Sequence, residues 1–262
     1  MILSAEQINK FKEDGYLIFD TELPESTLNA INKRLSPYWG HEGRKFEGAV
    51  YADFNRIQDA WHIDKDIKSI AVLPRVLEIL KELYGRQPRP FQTLNFYRGT
   101  EQTIHADSIH FNSEPFGLMC GVWVAFEDVG MEQGPLVLYP GSQKLPEINF
   151  EQAGLEPNYT YYPQYEAYLA RLIKEKNLQV AYGLMKKGQA LIWAANLLHG
   201  GAKQTNKALT RQSQVTHYYF EGAKPWRPGH SKLKRAYFKP EWIPYEGAKV
   251  SLGERVSGWF KR

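Results

Sequence analysis

Residues 104–108 read Ile-His-Ala-Asp-Ser and follow a strand-like run at 91–97 and a short polar turn. Side chains two residues apart in a strand point to the same face. His105 and Asp107 would therefore direct an imidazole and a carboxylate to one point. They supply two of the three groups of a 2-His-1-carboxylate site, which binds Fe(II) and leaves open positions on the metal. The pattern predicts a metal site whose third ligand lies elsewhere in the chain.

The candidate third ligand is His199, which follows a strand-like run at 188–195 and precedes Gly200 and Gly201. Glycines at a strand end allow the backbone to approach a ligand closely. Two neutral imidazoles and one carboxylate would leave a bound Fe(II) ion with net positive charge. A chelating co-substrate and O2 could then complete its coordination.

The His-x-Asp spacing alone is not specific, because it would also suit a polar turn held by an ordinary hydrogen bond. A second such pair, His62 and Asp64, precedes residues 67–72, whose pattern is typical of a helix. We interpret that second pair as helix capping, with Asp64 or Asp66 as the N-cap residue. Other parts of the chain must support the metal-binding interpretation of residues 104–108.

The composition is that of an ordinary globular protein, since 43% of the 262 residues are hydrophobic and 24% are charged. The formal net charge is only +4, and no basic run is dense enough to predict a nucleic-acid partner. No apolar run approaches the length of a membrane span. Cys120 is the only cysteine, and the first residues lack a signal-peptide pattern, which favours a cytoplasmic location.

Residues 1–89 are predicted to be mostly helical. Ser4 opens a helix with a capping-box pattern, residues 24–26 open a second helix, and residues 73–83 have an amphipathic period. Residues 37–62 show no clear period and are predicted to form a loop. Such a loop could carry substrate contacts, or its aromatic residues could simply pack locally.

From residue 90 the pattern changes to strand-like runs separated by Gly and Pro. Helices followed by strands predict one mainly β domain over 1–262, with flanking helices around a double-stranded β-helix (jelly roll, cupin-like) core over 90–220. Residues 146–182 hold an inserted helix whose tyrosine-rich start could form a lid or a packed loop. Residues 221–262 are predicted to form a wrapping tail. The strand-like runs are 91–97, 103–111, 117–127, 135–139, 189–195 and 211–220.

Arg211 opens the last of these strand-like runs, twelve residues after His199. By alternation, Arg211, Ser213 and His217 share one face. If that face is inward, the buried guanidinium requires an anion, and a carboxylate with Ser213 as an additional donor fits best. The alternative is an exposed face on which Arg211 pairs with a surface acid.

The order of these motifs resembles the phytanoyl-CoA dioxygenase family of Fe(II)/2-oxoglutarate-dependent oxygenases over roughly residues 4–220. The resemblance rests on the His-x-Asp pair, on His199 and on Arg211 twelve residues later. It also includes the segments 14–16, 123–129, 133–136 and 140–142.

The resemblance implies a jelly roll in which His105, Asp107 and His199 bind Fe(II). It further implies that 2-oxoglutarate chelates the iron, that its distal carboxylate pairs with Arg211, and that Trp123 borders it. O2 would be the second co-substrate, and ascorbate the reductant in vitro. Decarboxylation of 2-oxoglutarate to succinate and CO2 would accompany hydroxylation of an unactivated C–H bond in a small-molecule metabolite.

Gln92 and Leu94, on the strand before the His-x-Asp pair, are implied pocket residues. Two positions depart from the family pattern: Gln143 stands where the family often has a histidine, and Ala106 where it often has a polar residue. Neither position is a metal ligand. The change at Ala106 leaves open how the 1-carboxylate of 2-oxoglutarate is held.

The candidate substrate contacts are Arg56, Trp61 and His217, although His217 could instead be a hydrogen-bonded structural residue. His110 follows Asp107 by three residues and is therefore expected to face away from the site. The presence of Asp107 favours hydroxylation, or a related desaturation or cyclisation, over halogenation, which needs an empty carboxylate position. The sequence does not determine the oligomeric state.

Two other classes of function compete with this interpretation. One is a non-catalytic jelly-roll module that binds a sugar or a protein. The other is a Zn- or Mn-dependent jelly-roll enzyme, such as an isomerase, that does not use 2-oxoglutarate. The first would need no metal ligands, and the second would not need Arg211 to face the metal.

Overall fold

The computed structural model describes residues 2–40, 44–45, 51–52 and 54–246, in which four of the five α-helices precede the long central strands. None of these helices has the length and apolar character that crossing a bilayer would require. The helices are α1 (Ala5–Asp14), α2 (Glu25–Leu35), α3 (Lys65–Ala71), α4 (Pro74–Tyr84) and α5 (Tyr162–Glu175).

The strands of the described residues pair antiparallel in three sheets. They are β1 (Tyr16–Asp20), β2 (Arg44–Lys45), β3 (Tyr51–Ala52), β4 (Arg56–Gln58), β5 (Pro88–Phe96), β6 (Asn112–Glu114), β7 (Met119–Ala125), β8 (Leu136–Leu138), β9 (Ala181–Gly183), β10 (Gln189–Ala194), β11 (His199–Gly201), β12 (Ser213–Phe220) and β13 (Lys224–Trp226). The largest sheet has the order β1-β10-β7-β12-β5-β4-β3-β2, and the smaller sheets are β11-β8-β9 and β13-β6.

Both faces of the eight-stranded sheet are covered, because its strands alternate between two hydrophobic clusters. Val122 of β7 points to the helical side and packs in one cluster with Leu28 of α2 and Ile67 of α3. Trp123, the next residue, points the other way and packs in a second cluster with Leu138 of β8. This arrangement confirms the predicted fold class, a mainly β jelly roll with flanking helices.

The helix ends follow the local signals in the sequence. Ser4 and Gln7 form a complete capping box at the start of α1. At α3, the side chain of Asp64 accepts hydrogen bonds from the backbone N–H groups of Asp66 and Ile67. The interpretation of the second His-x-Asp pair as helix capping is therefore confirmed, with Asp64 as the N-cap residue.

Two segments differ from the sequence-based expectation. Residues 103–111 do not form a strand: His105 makes an isolated antiparallel bridge with His199, and a 3-10 turn follows over Asp107–Ile109. Residues 37–62 are not a loop throughout, since β4 pairs with β5 and β3 pairs with β4. Within that segment, residues 41–43, 46–50 and 53 lie outside the described residues.

The inserted segment packs directly against the His-x-Asp region. Tyr165 and Leu169 of α5 share a buried cluster with Ala106 and Ile109. Farther along the chain, the described part of the predicted tail ends at residue 246, and residues 247–262 lie outside the described residues. The organisation as one domain over 1–262 stays a prediction.

Replacing Leu28 by alanine should destabilise the fold by about 2–5 kcal/mol, because the side chain is fully buried between α2 and the sheet and its removal leaves a cavity. The matched control is Leu233→Ala, at a fully exposed position, which should change the free energy of unfolding by less than about 0.5 kcal/mol. Urea unfolding of the two variants measures the difference, and equal losses would contradict this packing.

Candidate metal centre and cavity

A reciprocal pair of backbone hydrogen bonds brings the two candidate histidine ligands together. The N–H of His105 donates to the carbonyl of His199 at 2.9 Å, and the N–H of His199 donates back at the same distance. Directly opposed residues of an antiparallel pair project their side chains to the same side. The two imidazole centroids consequently lie 4.5 Å apart.

Asp107 completes the cluster from the start of the 3-10 turn. Its Oδ1 lies 3.5 Å from Nε2 of His105 and 3.7 Å from Nε2 of His199. All three candidate ligand atoms lie within 4.8 Å of one another, and all three residues are buried. Ligands about 2.1 Å from a shared metal in adjacent positions lie about 3 Å apart, so small adjustments would bring these atoms to metal-binding distance.

The histidine side chains are oriented by the backbone two residues earlier. Nδ1 of His105 lies 2.9 Å from the carbonyl oxygen of Thr103, and Nδ1 of His199 lies 2.9 Å from that of Leu197. Because a carbonyl oxygen only accepts, each Nδ1 carries the proton. Each Nε2 therefore presents its lone pair to the cluster, as a metal ligand must.

The second oxygen of Asp107 is held by Trp193, which the sequence analysis did not identify. The indole Nε1 of Trp193 donates to Oδ2 at 2.7 Å, and Nε2 of His217 lies 3.6 Å from the same oxygen. Space for the indole comes from Gly121, where a Cβ would lie 2.2 Å from the Trp193 ring. These contacts orient Oδ1 towards the two histidines.

The electrostatics of the cluster favour a metal-binding protonation state. Burial lowers the pKa of His199 to about 4, so its imidazole is neutral at pH 7. Burial acts to raise the pKa of Asp107, but the surrounding imidazoles, His199 first, hold it well below its usual range. At neutral pH the cluster thus holds an ionised carboxylate beside a neutral imidazole.

Arg211 is buried in the same cavity with few partners. It is 3% exposed, its Nη1 donates to the carbonyl of Gly134 at 2.7 Å, and its Nε has no hydrogen-bond partner among the described residues. Burial lowers its pKa to about 10, so the group remains charged at pH 7. The guanidinium lies 5.3 Å from the ring centroid of Trp123. A buried guanidinium without an anionic partner among the described residues is costly, which indicates that it pairs with a bound anion.

A cavity of about 340 Å³ connects Arg211 with the three candidate metal ligands, which we call the metal cluster. The three candidate ligands line it. Six further residues that the sequence analysis selected also line it: Arg56, Gln92, Leu94, Trp123, Arg211 and His217. His217 also lies 2.9 Å from Gln92 through its Nδ1, so it faces the cavity and is hydrogen-bonded at the same time.

Two of the selected residues do not line the cavity. Ser213 is buried, and its hydroxyl donates to the backbone carbonyl of Arg211. Its role as an additional donor to the co-substrate stays a prediction. Trp61 lies in the short 3-10 turn Ala60–His62, stacks on His62 and packs against the helical cluster. The structure therefore places Trp61 outside the lining of this cavity, and a substrate contact by Trp61 stays a prediction.

The expectation that His110 faces away is wrong, since His110 lines the cavity. Residues three apart eclipse each other in a 3-10 helix, whereas they would lie on opposite faces of a strand. Nδ1 and Nε2 of His110 lie 3.1 Å and 3.2 Å from the hydroxyls of Tyr159 and Tyr162. Tyr159 of the inserted segment therefore forms part of the cavity wall.

A family model described as phytanoyl-CoA dioxygenase (PhyH) matches residues 11–213. This match covers most of the chain, and the protein therefore belongs to that family. The resemblance seen in the sequence motifs is confirmed.

Two curated relatives show the extent of the similarity. Phytanoyl-CoA dioxygenase domain-containing protein 1 of Danio rerio is 26% identical over 191 residues, covering 54% of this chain and 66% of that protein. The peroxisomal phytanoyl-CoA dioxygenase of Homo sapiens is 20% identical over 236 residues, covering 80% of this chain and 67% of that protein. The chain spans about two thirds of the length of these relatives.

Solved structures share the fold at low sequence identity. The non-haem α-ketoglutarate-dependent carbocyclase SnoK from nogalamycin biosynthesis has a TM-score of 0.70 at 17% identity, covering 91% of this chain and 95% of SnoK. EctD from S. alaskensis, with 2-oxoglutarate and 5-hydroxyectoine, has a TM-score of 0.68 at 16% identity, covering 93% and 86% of the two chains.

Replacing Trp193 by phenylalanine should weaken Fe(II) binding by about 10- to 100-fold, because the variant keeps an aromatic ring but removes the N–H donor that orients Asp107. Anaerobic competition against a chelator measures this affinity. The matched control is Trp61→Phe, since the indole Nε1 of Trp61 has no hydrogen-bond partner among the described residues. Equal affinities for the two variants would show that the Trp193 contact does not support the metal centre.

Acid should destabilise the metal-free protein between about pH 6.5 and pH 4. Burial lowers the pKa of His110 and of His199 to about 4, against about 6.5 in the unfolded chain. The unfolded chain therefore binds more protons in this window, and the free energy of unfolding falls as the pH falls, by up to about 3 kcal/mol for each histidine. Urea unfolding with a chelator present should show a shallower pH dependence for His110→Gln, and an unchanged slope would exclude a contribution from His110.

Proposed function

We propose that this protein is an Fe(II)- and 2-oxoglutarate-dependent oxygenase that hydroxylates an unactivated C–H bond of a small molecule. The observation that carries the proposal is the combination, in one cavity, of a buried His-Asp-His cluster and a buried arginine without an anionic partner among the described residues. Membership of the phytanoyl-CoA dioxygenase family supports it.

The donor set of the cluster fits Fe(II). Two imidazole nitrogens and one carboxylate oxygen are the ligands of non-haem Fe(II) oxygenases, and three protein ligands leave positions for a chelating co-substrate and O2. One carboxylate leaves the metal site with net positive charge, which attracts an anionic chelator. The epimerase SnoN, whose solved structure is similar in fold, was determined in complex with Fe3+ and α-ketoglutarate.

The environment of Arg211 fits the distal carboxylate of 2-oxoglutarate. Its orphaned Nε is the type of donor that a carboxylate accepts from, and a guanidinium matches the two carboxylate oxygens in one plane. Trp123 forms a wall beside it. Ser213 would act through the Arg211 backbone, and Gln92 and Leu94 would complete the wall on β5.

The bound iron, 2-oxoglutarate and O2 would supply the oxidising power, with succinate and CO2 as the co-products. The protein would contribute position and exclusion of water. His105, Asp107 and His199 are each no more than 6% exposed, and Trp193 fixes the orientation of the carboxylate. Asp107 occupies the position that a halide would need, which favours hydroxylation or a related desaturation or cyclisation.

The test begins with wild-type protein, Fe(II) and 2-oxoglutarate under anaerobic conditions, which should give the weak visible charge-transfer band of the chelate. His199→Ala should abolish the band, and the exposed control His230→Ala should retain it. Succinate should then form in air with ascorbate present, together with a product one oxygen atom heavier. No band in the wild type, or a Zn- or Mn-dependent reaction that ignores 2-oxoglutarate, would contradict the proposal.

Arg211→Gln should weaken the binding of 2-oxoglutarate to the Fe(II) protein by about 30-fold or more, because the variant removes one partner of a buried charge pair. Arg211→Lys keeps the charge but loses the paired donors, so we expect an intermediate loss. Titration of the chelate band with 2-oxoglutarate measures each affinity, while direct Fe(II) titration checks that the metal site is intact. Unchanged 2-oxoglutarate affinity in Arg211→Gln would place the co-substrate elsewhere.

A further inference from the structure

A second arginine, Arg227, lines the same cavity and follows β13 in the C-terminal segment. It is half-buried, and its guanidinium lies 4.5 Å from the ring centroid of Phe238 and 5.4 Å from that of Phe111. It lies beyond residues 11–213, which match the family model, so no role for it follows from the family match.

Among the described residues, the guanidinium of Arg227 has aromatic neighbours but no anionic partner. Within the described ranges, no carboxylate forms an ion pair with it and no acceptor forms a hydrogen bond with it. The nearby Arg235 differs, because its Nη1 lies 3.3 Å from a carboxylate oxygen of Glu114. Arg227 thus presents an uncompensated positive charge to the cavity.

Arg227 and Arg211 contact different parts of the cavity wall, since Arg211 lies beside Trp123 and Arg227 beside Phe111. Arg211 precedes β12, whereas His217 lies six residues farther along and faces Asp107. Six extended residues span about 20 Å. Phe111 packs beside His217 with a centroid distance of 5.6 Å, and the guanidinium of Arg227 lies 5.4 Å from the ring centroid of Phe111.

The wall beside Arg227 is aromatic. The ring of His110 stacks on that of Tyr159 with a centroid distance of 5.7 Å. Both residues line the cavity with Phe111. A guanidinium that stacks on aromatic rings is already oriented, so little side-chain freedom is lost when it binds a planar anion.

We infer that Arg227 binds a carboxylate of the substrate and thereby places the carbon next to that group beside the metal cluster. This inference rests on the proposed function and deepens it, since it defines the substrate as a small carboxylic acid. The two arginines then hold two different carboxylates: Arg211 holds that of the co-substrate, and Arg227 holds that of the substrate.

The test uses the full-length chain loaded with Fe(II) and 2-oxoglutarate without oxygen. Equilibrium dialysis measures the retention of a panel of carboxylates, each paired with its primary amide, such as hexanoate with hexanamide and phenylacetate with phenylacetamide. The wild type should retain carboxylates about 10- to 100-fold more tightly than the matched amides, as expected for hydrogen bonds to a charged group. Arg227→Gln should reduce this preference to about onefold, and Arg227→Lys should retain part of it.

The control is Arg235→Gln, which removes an equal charge from the same segment but lies outside the lining of the cavity. It should keep the wild-type preference, and thermal unfolding verifies that each variant is folded. The inference is overturned if no pair shows a carboxylate preference in the wild type, or if Arg227→Gln keeps it. The chelate band of the wild type, recorded before any probe is added, tests the proposed function separately, so the two failures are distinguishable.

Discussion

The site depends on one pair of backbone hydrogen bonds, between His105 and His199. Each residue donates its N–H to the other, and each imidazole then donates its Nδ1 proton to a carbonyl two residues before it. The backbone, rather than the side chains, therefore decides that both Nε2 lone pairs meet. Asp107 needs only to follow two residues later for its carboxylate to join them.

Two buried charges in this cavity are compensated in different ways. Asp107 has Trp193 as a hydrogen-bond donor and imidazoles on its other side, so its negative charge is stabilised within the protein. Arg211 has one backbone carbonyl from Gly134 and an unpartnered Nε among the described residues. Burying a charge without compensation costs several kcal/mol, which a bound carboxylate offsets. The contacts of Asp107 therefore have a structural role, whereas the environment of Arg211 indicates that a bound ligand supplies the missing anion.

The cavity is built from segments that are far apart in the chain. The candidate ligands come from β11, from its bridge partner His105 and from the 3-10 turn that begins at Asp107. Other parts of the wall come from Tyr159 in the inserted segment and from Arg227 after β13. Tyr165 of the inserted segment also packs in one cluster with Ala106, the residue between the candidate ligands His105 and Asp107 in the sequence. Changes in these outer segments can therefore alter what enters the cavity without replacing the three candidate metal ligands.

The sequence by itself predicted the fold class, the helix caps and the three candidate metal ligands that the structure brings together, because alternation, capping and motif order can be recognised without coordinates. Only the tertiary structure showed that His110 lines the cavity, that Trp61 lies outside its lining and that Trp193 donates a hydrogen bond to Asp107. The first two depend on short 3-10 turns, which change the direction of a side chain without a distinct sequence period. The third joins residues 86 positions apart, and no local pattern specifies which partner a buried indole will meet.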